Sequence, residues 1–314
     1  MYNQRGATPL FSERMAFFLV FGLIAAFMFF GSLGIVSWIR GVIRGQTPAT
    51  TSSVYTAYSN EPADYLKPES LAAMTQYTAS NPEPQNVQVL TGMNTGQIAA
   101  YMVSQVAGGL KVDCTYCHNL ANGNFADDSV PAKAKAREMM LMAADLNQNF
   151  ISQLPQSVGG KQVTCATCHN GRPLVLNGAA NTGALSNYPP DQSPIPDNYQ
   201  LPLDNLDALL ITGKTDPNLM AVQLNQYTMN HFNQSLGVGC AFCHNAKYFP
   251  SDERAEKGYA LTMLTMAQHL NTQYLSLMNN KAPSCWMCHR GAMLPPGSAN
   301  PGQVPAVLSS NPSP

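Results

Sequence analysis

One pentapeptide pattern, Cys-x-x-Cys-His, occurs four times and uses every cysteine in the chain. The copies are Cys114-Thr115-Tyr116-Cys117-His118, Cys165-Ala166-Thr167-Cys168-His169, Cys240-Ala241-Phe242-Cys243-His244 and Cys285-Trp286-Met287-Cys288-His289. Two thiols three positions apart, on a turn entering a helix, can reach the two vinyl groups on one edge of a porphyrin. The histidine that follows then aims its imidazole at the iron. This is the attachment signature of c-type haem. A lone Cys-x-x-Cys would also suit a redox dithiol or half of a zinc site, but neither requires the histidine that follows all four pairs. The expectation is four covalently attached haem c groups. Cys114, Cys117, Cys165, Cys168, Cys240, Cys243, Cys285 and Cys288 form the thioethers, and His118, His169, His244 and His289 are the proximal iron ligands.

The spacing of these motifs exposes an internal repeat. One half spans 89–173 and the other 210–296, and each holds two motifs. Leu90-Thr91-Gly92 opens the first and Ile211-Thr212-Gly213 the second, and Cys114–Asn119 matches Cys240–Asn245. Helical apolar spacing precedes each motif, over Gln97–Val106, Ala132–Leu154, Asn218–Phe232 and Arg254–Leu277. Residues 174–209, Pro-rich and without periodicity, are a connector. Residues 297–314 form an extended tail, and residues 40–88, rich in Thr, Ser, Pro, Asn and Tyr, an extended arm over the globular part or a partner.

Ahead of the arm, residues 15–39 carry no charge in 25 positions. As a helix they would run about 37 Å, enough to cross a hydrocarbon core of roughly 30 Å with some tilt. Trp38 suits the far interface. The apolar run is too long for a cleaved signal, whose apolar core is about 7–15 residues. Residues 1–14 are then a cytoplasmic tail. Two basic residues on each side leave orientation open by charge. Haem attachment outside the cytoplasm places the remainder on the periplasmic or extracellular face, making the chain a single-pass protein of the cytoplasmic membrane. With 17 basic against 18 acidic residues and no basic stripe, nucleic acid is excluded as a partner.

Four irons need four more ligands or open positions, and only His231 and His269 remain. Methionine is the expected partner, since a thioether favours ferrous iron and raises the potential. Met102 lies 12 residues before Cys114 and Met229 lies 11 before Cys240; the repeat makes them equivalent. The next helix of each half offers Met139, Met140 and Met142, or Met263 and Met266.

Two halves of paired helix–turn–Cys-x-x-Cys-His units resemble the tetrahaem cytochrome c subunit of photosynthetic reaction centres. The likeness covers about residues 85–295. It is carried by Cys114-Thr-Tyr-Cys117-His118, by Thr164-Cys165-x-Thr167-Cys168-His169, and by Ser235-Leu236-Gly237-x-x-Cys240-x-Phe242-Cys243-His244-Asn245-Ala246. A membrane helix in place of a lipidated N-terminal cysteine resembles the filamentous-phototroph variant. The implied fold is mainly α, with two pseudo-symmetric dihaem halves and one N-terminal transmembrane helix. The resemblance implies Met102, Met139 and Met229 as axial ligands of three haems and a second histidine at the fourth. The matching region, near Gln153, has no histidine. Met263 sits in the slot equivalent to Met139 and is expected to ligate the fourth iron opposite His289. Met266, His231 and His269 compete with it.

The resemblance implies electron relay without substrate chemistry. A soluble periplasmic donor (a cytochrome, copper protein or iron–sulfur protein) supplies electrons. They leave for the photo-oxidised bacteriochlorophyll pair on the reaction-centre L and M subunits. Tyr188 or Tyr199 is a candidate between a haem and that pair, and the light-harvesting antenna is a further neighbour. The competing class is a membrane-anchored multihaem reductase or quinol-oxidising cytochrome. Such an enzyme needs a five-coordinate iron, which four methionine ligands would preclude.

Overall fold

Helix α1 (Pro68–Ser80) stands where the composition suggests an extended arm. Proline at its start presets the first φ, and Glu69 lies in the first turn, where the helix dipole favours an acidic group. Asp113 fixes its entry, accepting from the Lys67 amide at 3.0 Å and from Ser70 Oγ at 2.7 Å. The computed structural model describes residues 64–155, 160–173, 201, 203 and 219–310. The chain divides into two units, Met1–Pro48 and Ala49–Pro314, and every described residue belongs to the second. The expected membrane span at 15–39, Tyr188 and Tyr199 lie outside the described residues, as does nearly all of the connector. Among the described residues, no helix is long and apolar enough to cross a membrane.

The regular structure described is helical, with β pairing confined to two isolated bridges, Gln162 with Ala299 and Asn245 with Tyr248. Helix α2 (Thr95–Tyr101) opens with a capping box between Asn94 and Gln97. It then widens into a π turn over Met102–Ala107 and closes with Gly108–Leu110. Helix α3 (Pro131–Asn149) leads to the short α4 (Cys165–His169). Helix α5 (Leu219–Leu236) leads past Cys240, α6 spans Ala255–Gln273, and α7 is Cys285–His289. Helices α3 and α6 each have 19 residues and lie 124 positions apart throughout. Both stop sooner than their apolar spacing predicts, at Phe150 and Tyr274, whose backbones leave the helical region.

Helix α3 is the spine of the core. Met140 and Ala144, four apart, face one buried cluster with Val106, Leu110 and Leu308. Met142, Leu146 and Phe150 face a second with Val163, Leu270 and Leu277. Asn147, fully buried, joins the two faces. Its Oδ1 accepts from the Val163 amide at 2.7 Å, and its Nδ2 donates to the carbonyls of Val163 at 3.1 Å and Leu308 at 2.8 Å. The last of these bonds corrects the expectation for the end of the chain. Residues beyond 297 carry short 3₁₀ turns at Pro301–Gln303 and Ala306–Leu308, and Leu308 is 2% exposed. Apolar residues at 304, 307 and 308 drive this, and composition dominated by Pro, Ser and Asn masks them.

Candidate functional site

Each motif histidine donates its Nδ1 hydrogen to a backbone carbonyl. His118 bonds Phe125 O at 3.2 Å, His169 bonds Arg172 O at 2.9 Å, His244 bonds Phe249 O at 2.9 Å, and His289 bonds Ala292 O at 3.0 Å. A carbonyl can only accept, so Nδ1 carries the proton and Nε2 keeps its lone pair. That is the tautomer a metal requires, with its orientation fixed by the second bond. Burial, followed by the charge of Lys133, pulls His118 down to about 4. Burial also lowers His169 and His289, so these imidazoles are neutral.

Two local designs produce this result. The first and third motifs open as 3₁₀ turns, Cys114–Tyr116 and Cys240–Phe242. There the carbonyl comes from a loop phenylalanine whose ring packs on the imidazole, with centroids 5.0 Å apart for His118–Phe125 and 5.1 Å for His244–Phe249. The second and fourth motifs are the helices α4 and α7. Each ends on two left-handed residues, Asn170-Gly171 (φ 47° and 76°) and Arg290-Gly291 (φ 50° and 85°). That reversal returns the carbonyl three residues beyond the histidine.

The motifs touch in a fixed order. Gly171 donates to Gly109 O at 2.9 Å, seating the second motif on the helix before the first. Gly291 donates to Ser235 O at 2.8 Å, seating the fourth on the helix before the third. Cys168 and Cys288 bring their sulfurs to 3.4 Å, and Arg290 donates to Cys168 O at 3.4 Å. The contacts therefore run first, second, fourth, third. Burial pushes the Cys165 and Cys285 thiols up to about 12. The neighbouring Cys288 side chain, then burial, raises Cys168. Zinc takes thiolates, and among the described residues no group of three or more Cys, His, Asp or Glu converges as a metal-ion site.

Two cavities test the fit of a porphyrin. One encloses about 1190 Å³, its open mouth included, and is lined by Cys114, Cys117 and His118 together with Met102, Ile98 and Val106. The other, of about 1080 Å³, is lined by Cys165, Cys168 and His169 together with Met139, Met140 and Met142. Both are lined mainly by apolar side chains around a motif's cysteines and histidine, the lining that suits a porphyrin. Met102 begins the π turn of α2, a distortion common at functional sites that helical spacing does not reveal. Met229 is half-buried on α5, and Met263 is half-buried on α6. Met139 and Met266 pack against the second core cluster. The two spare histidines are engaged elsewhere: His269 Nε2 meets Asp145 Oδ2 at 2.6 Å, and buried His231 accepts from the Cys285 amide at 3.2 Å.

The family model of the photosynthetic reaction centre cytochrome C subunit matches residues 38–189. The chain is thus similar to the cytochrome c subunits of photosynthetic reaction centres. Cytochrome c-554 of Chloroflexus aurantiacus is 29% identical, over 76% of this chain and 76% of its own. The photosynthetic reaction center cytochrome c subunit of Thermochromatium tepidum is 28% identical, over 67% of this chain and 60% of its own. That of Rubrivivax gelatinosus is 26% identical, over 72% of each. Kinship with these cytochromes agrees with the donor set: paired thiols, a neutral imidazole and an apolar cavity, repeated.

Proposed function

We propose that the chain binds four haem c groups and relays electrons from a soluble periplasmic donor to the photo-oxidised pigment pair of a reaction centre. Haem supplies a one-electron iron couple when bound. The chain's own residues do the rest. The cysteine pairs hold each group by one edge, and the carbonyl-bound histidines present Nε2. Met102, Met139, Met229 and Met263 close the opposite face and favour ferrous iron. The single observation that carries this reading is the Nδ1 bond made by all four motif histidines. That bond leaves Nε2 unprotonated and fixed in direction at every motif, as an iron ligand needs.

The halves at 89–173 and 210–296 act as pseudo-symmetric dihaem units. The matched 19-residue helices and the paired Gly109–Gly171 and Ser235–Gly291 bonds support this. The partners of His269 and His231 favour Met263 over a second histidine at the fourth iron. Residues 15–39 anchor the chain in the cytoplasmic membrane beside the L and M subunits and the antenna. A relay rather than a substrate-converting enzyme follows from the kinship with reaction-centre subunits. Intact mass decides the haem count: four added porphyrins are expected, and fewer would sink the reading. A flash given to native membranes should bleach the haem band within microseconds. A reduced sample that binds carbon monoxide would instead favour the reductase class.

A further inference from the structure

We propose that Lys133 is a positioning residue that raises the reduction potential of the first haem, acting through a carbonyl it shares with His118. The inference rests on the haem reading above. Phe125 O accepts two hydrogen bonds, from His118 Nδ1 at 3.2 Å and from Lys133 Nζ at 2.9 Å. The same ammonium donates to Asp127 O at 2.8 Å and pairs with Asp128 Oδ1 at 2.9 Å. Its three donors are therefore committed to this loop, and none is left for a haem carboxylate. The Lys133 side chain is only 12% exposed, so solvent screens it little.

The effect has a sign. A carbonyl that already accepts from a cation is a poorer acceptor for the imidazole hydrogen. The imidazole then keeps less anionic character and gives less density to iron. A fixed positive charge beside the ring also disfavours the ferric state, which carries one more charge than the ferrous. Both act in favour of reduction, by one electron with no proton moved. Second-sphere hydrogen bonding of this kind is an accepted control of haem potential.

The third motif supplies an internal control. Lys257 lies 124 residues after Lys133 and donates to Pro250 O at 2.8 Å and Ser251 O at 3.2 Å, beside Asp252 at 2.7 Å. His244 donates to a different carbonyl, Phe249 O. The third histidine's acceptor thus carries no bond from this lysine, and Lys257 is the more exposed of the two at 29%.

The test is a spectrally resolved redox titration of the haem-loaded full chain, with the first couple assigned by its response to Met102→His. Lys133→Met should lower the ferrous-to-ferric ratio of the first haem at fixed poise by about tenfold, which is about 59 mV for one electron. Asp128→Asn, which removes the countercharge, should move it the other way. Lys133→Arg should change it less than threefold, as should Lys257→Met at the third haem. In the reduced protein the His118 Nδ1 hydrogen should shift downfield in Lys133→Met as its bond to Phe125 O strengthens. An unmoved first couple, equal shifts in all four couples, or Lys133→Met and Asp128→Asn shifting it alike would overturn the proposal. If Lys133→Met does not fold, a first couple unchanged or lowered by Asp128→Asn overturns it alone. A wild-type sample without haem absorbance refutes the haem reading itself, an outcome plainly different from an unshifted couple.

Discussion

The first and third motifs and the second and fourth reach one end by different means. The odd motifs are 3₁₀ turns whose histidines find a carbonyl seven or five residues on, in a loop braced by a phenylalanine and a lysine. The even motifs are short helices closed by a left-handed pair, with the carbonyl three residues on. The even design is built into the local backbone. The odd design depends on what a loop and the following helix contribute. Tuning from outside the motif is thus open to the odd sites, whereas the even sites gain rigidity from their neighbours: each is seated on a helix, and the two touch through Cys168 and Cys288.

The sharpest way to break the comparison is at a seat. A Cβ on Gly237 would stand 2.3 Å from Gly291 O, on a backbone with φ of 67°. Gly237→Ala should cost about 3 kcal/mol or more, measured by chemical denaturation, and should disturb the fourth haem more than the first. Next is Asn147→Ala. It strips the Val163 and Leu308 bonds just upstream of the second motif and should cost about 2 kcal/mol while leaving the first couple in place. Met102→His should lower the first couple by about tenfold in ferrous-to-ferric ratio, or about 59 mV, with a new bis-histidine signal by electron paramagnetic resonance. Gly171→Ala meets only the flexible Lys111 side chain, at 3.0 Å, and keeps φ near 76°, so about 1 kcal/mol is expected. The contrast with Gly237 makes it a useful control.

The smallest effect concerns pH at the first odd motif. Burial raises Asp113, but hydrogen bonds from Lys67, Thr115 and Ser70 outweigh it and hold the carboxyl below its ordinary 3.8. A carboxylate with a depressed folded value stabilises fully above the unfolded value, and loses that contribution as pH falls through the folded one. Helix α1 should therefore stay docked near neutrality and loosen only below pH about 4. Faster hydrogen exchange over 68–80 would reveal the loosening, and Asp113→Asn should reproduce part of it at neutral pH.

The motifs and the long helices before them were legible because they depend on spacing along the chain. Helix α1 was hidden by the polar composition around it, although Pro68, Glu69 and Leu71–Met74 hold a start signal and good helix formers. The π turn at Met102 leaves no trace in apolar periodicity. The acceptors of the histidines were hidden for a different reason. Any residue supplies a carbonyl, so no side chain marks Phe125 or Ala292 as the partner. The even motifs did carry a clue, since His-Asn-Gly and His-Arg-Gly place a glycine where the left-handed return needs one. Asp145 with His269, and His231 with Cys285, are contacts across 124 and 54 residues. Nothing local announces them.

The bond from Asn147 to Leu308 spans 161 positions. Leu308 also lies in the buried cluster that backs Met140 and Val106. A nascent polypeptide cannot complete its earlier half until its final stretch has emerged. Until then, the thiols at 114, 117, 165 and 168 belong to an unfinished scaffold. The clasp thus makes residues near 308 a condition for closing the core behind the second motif.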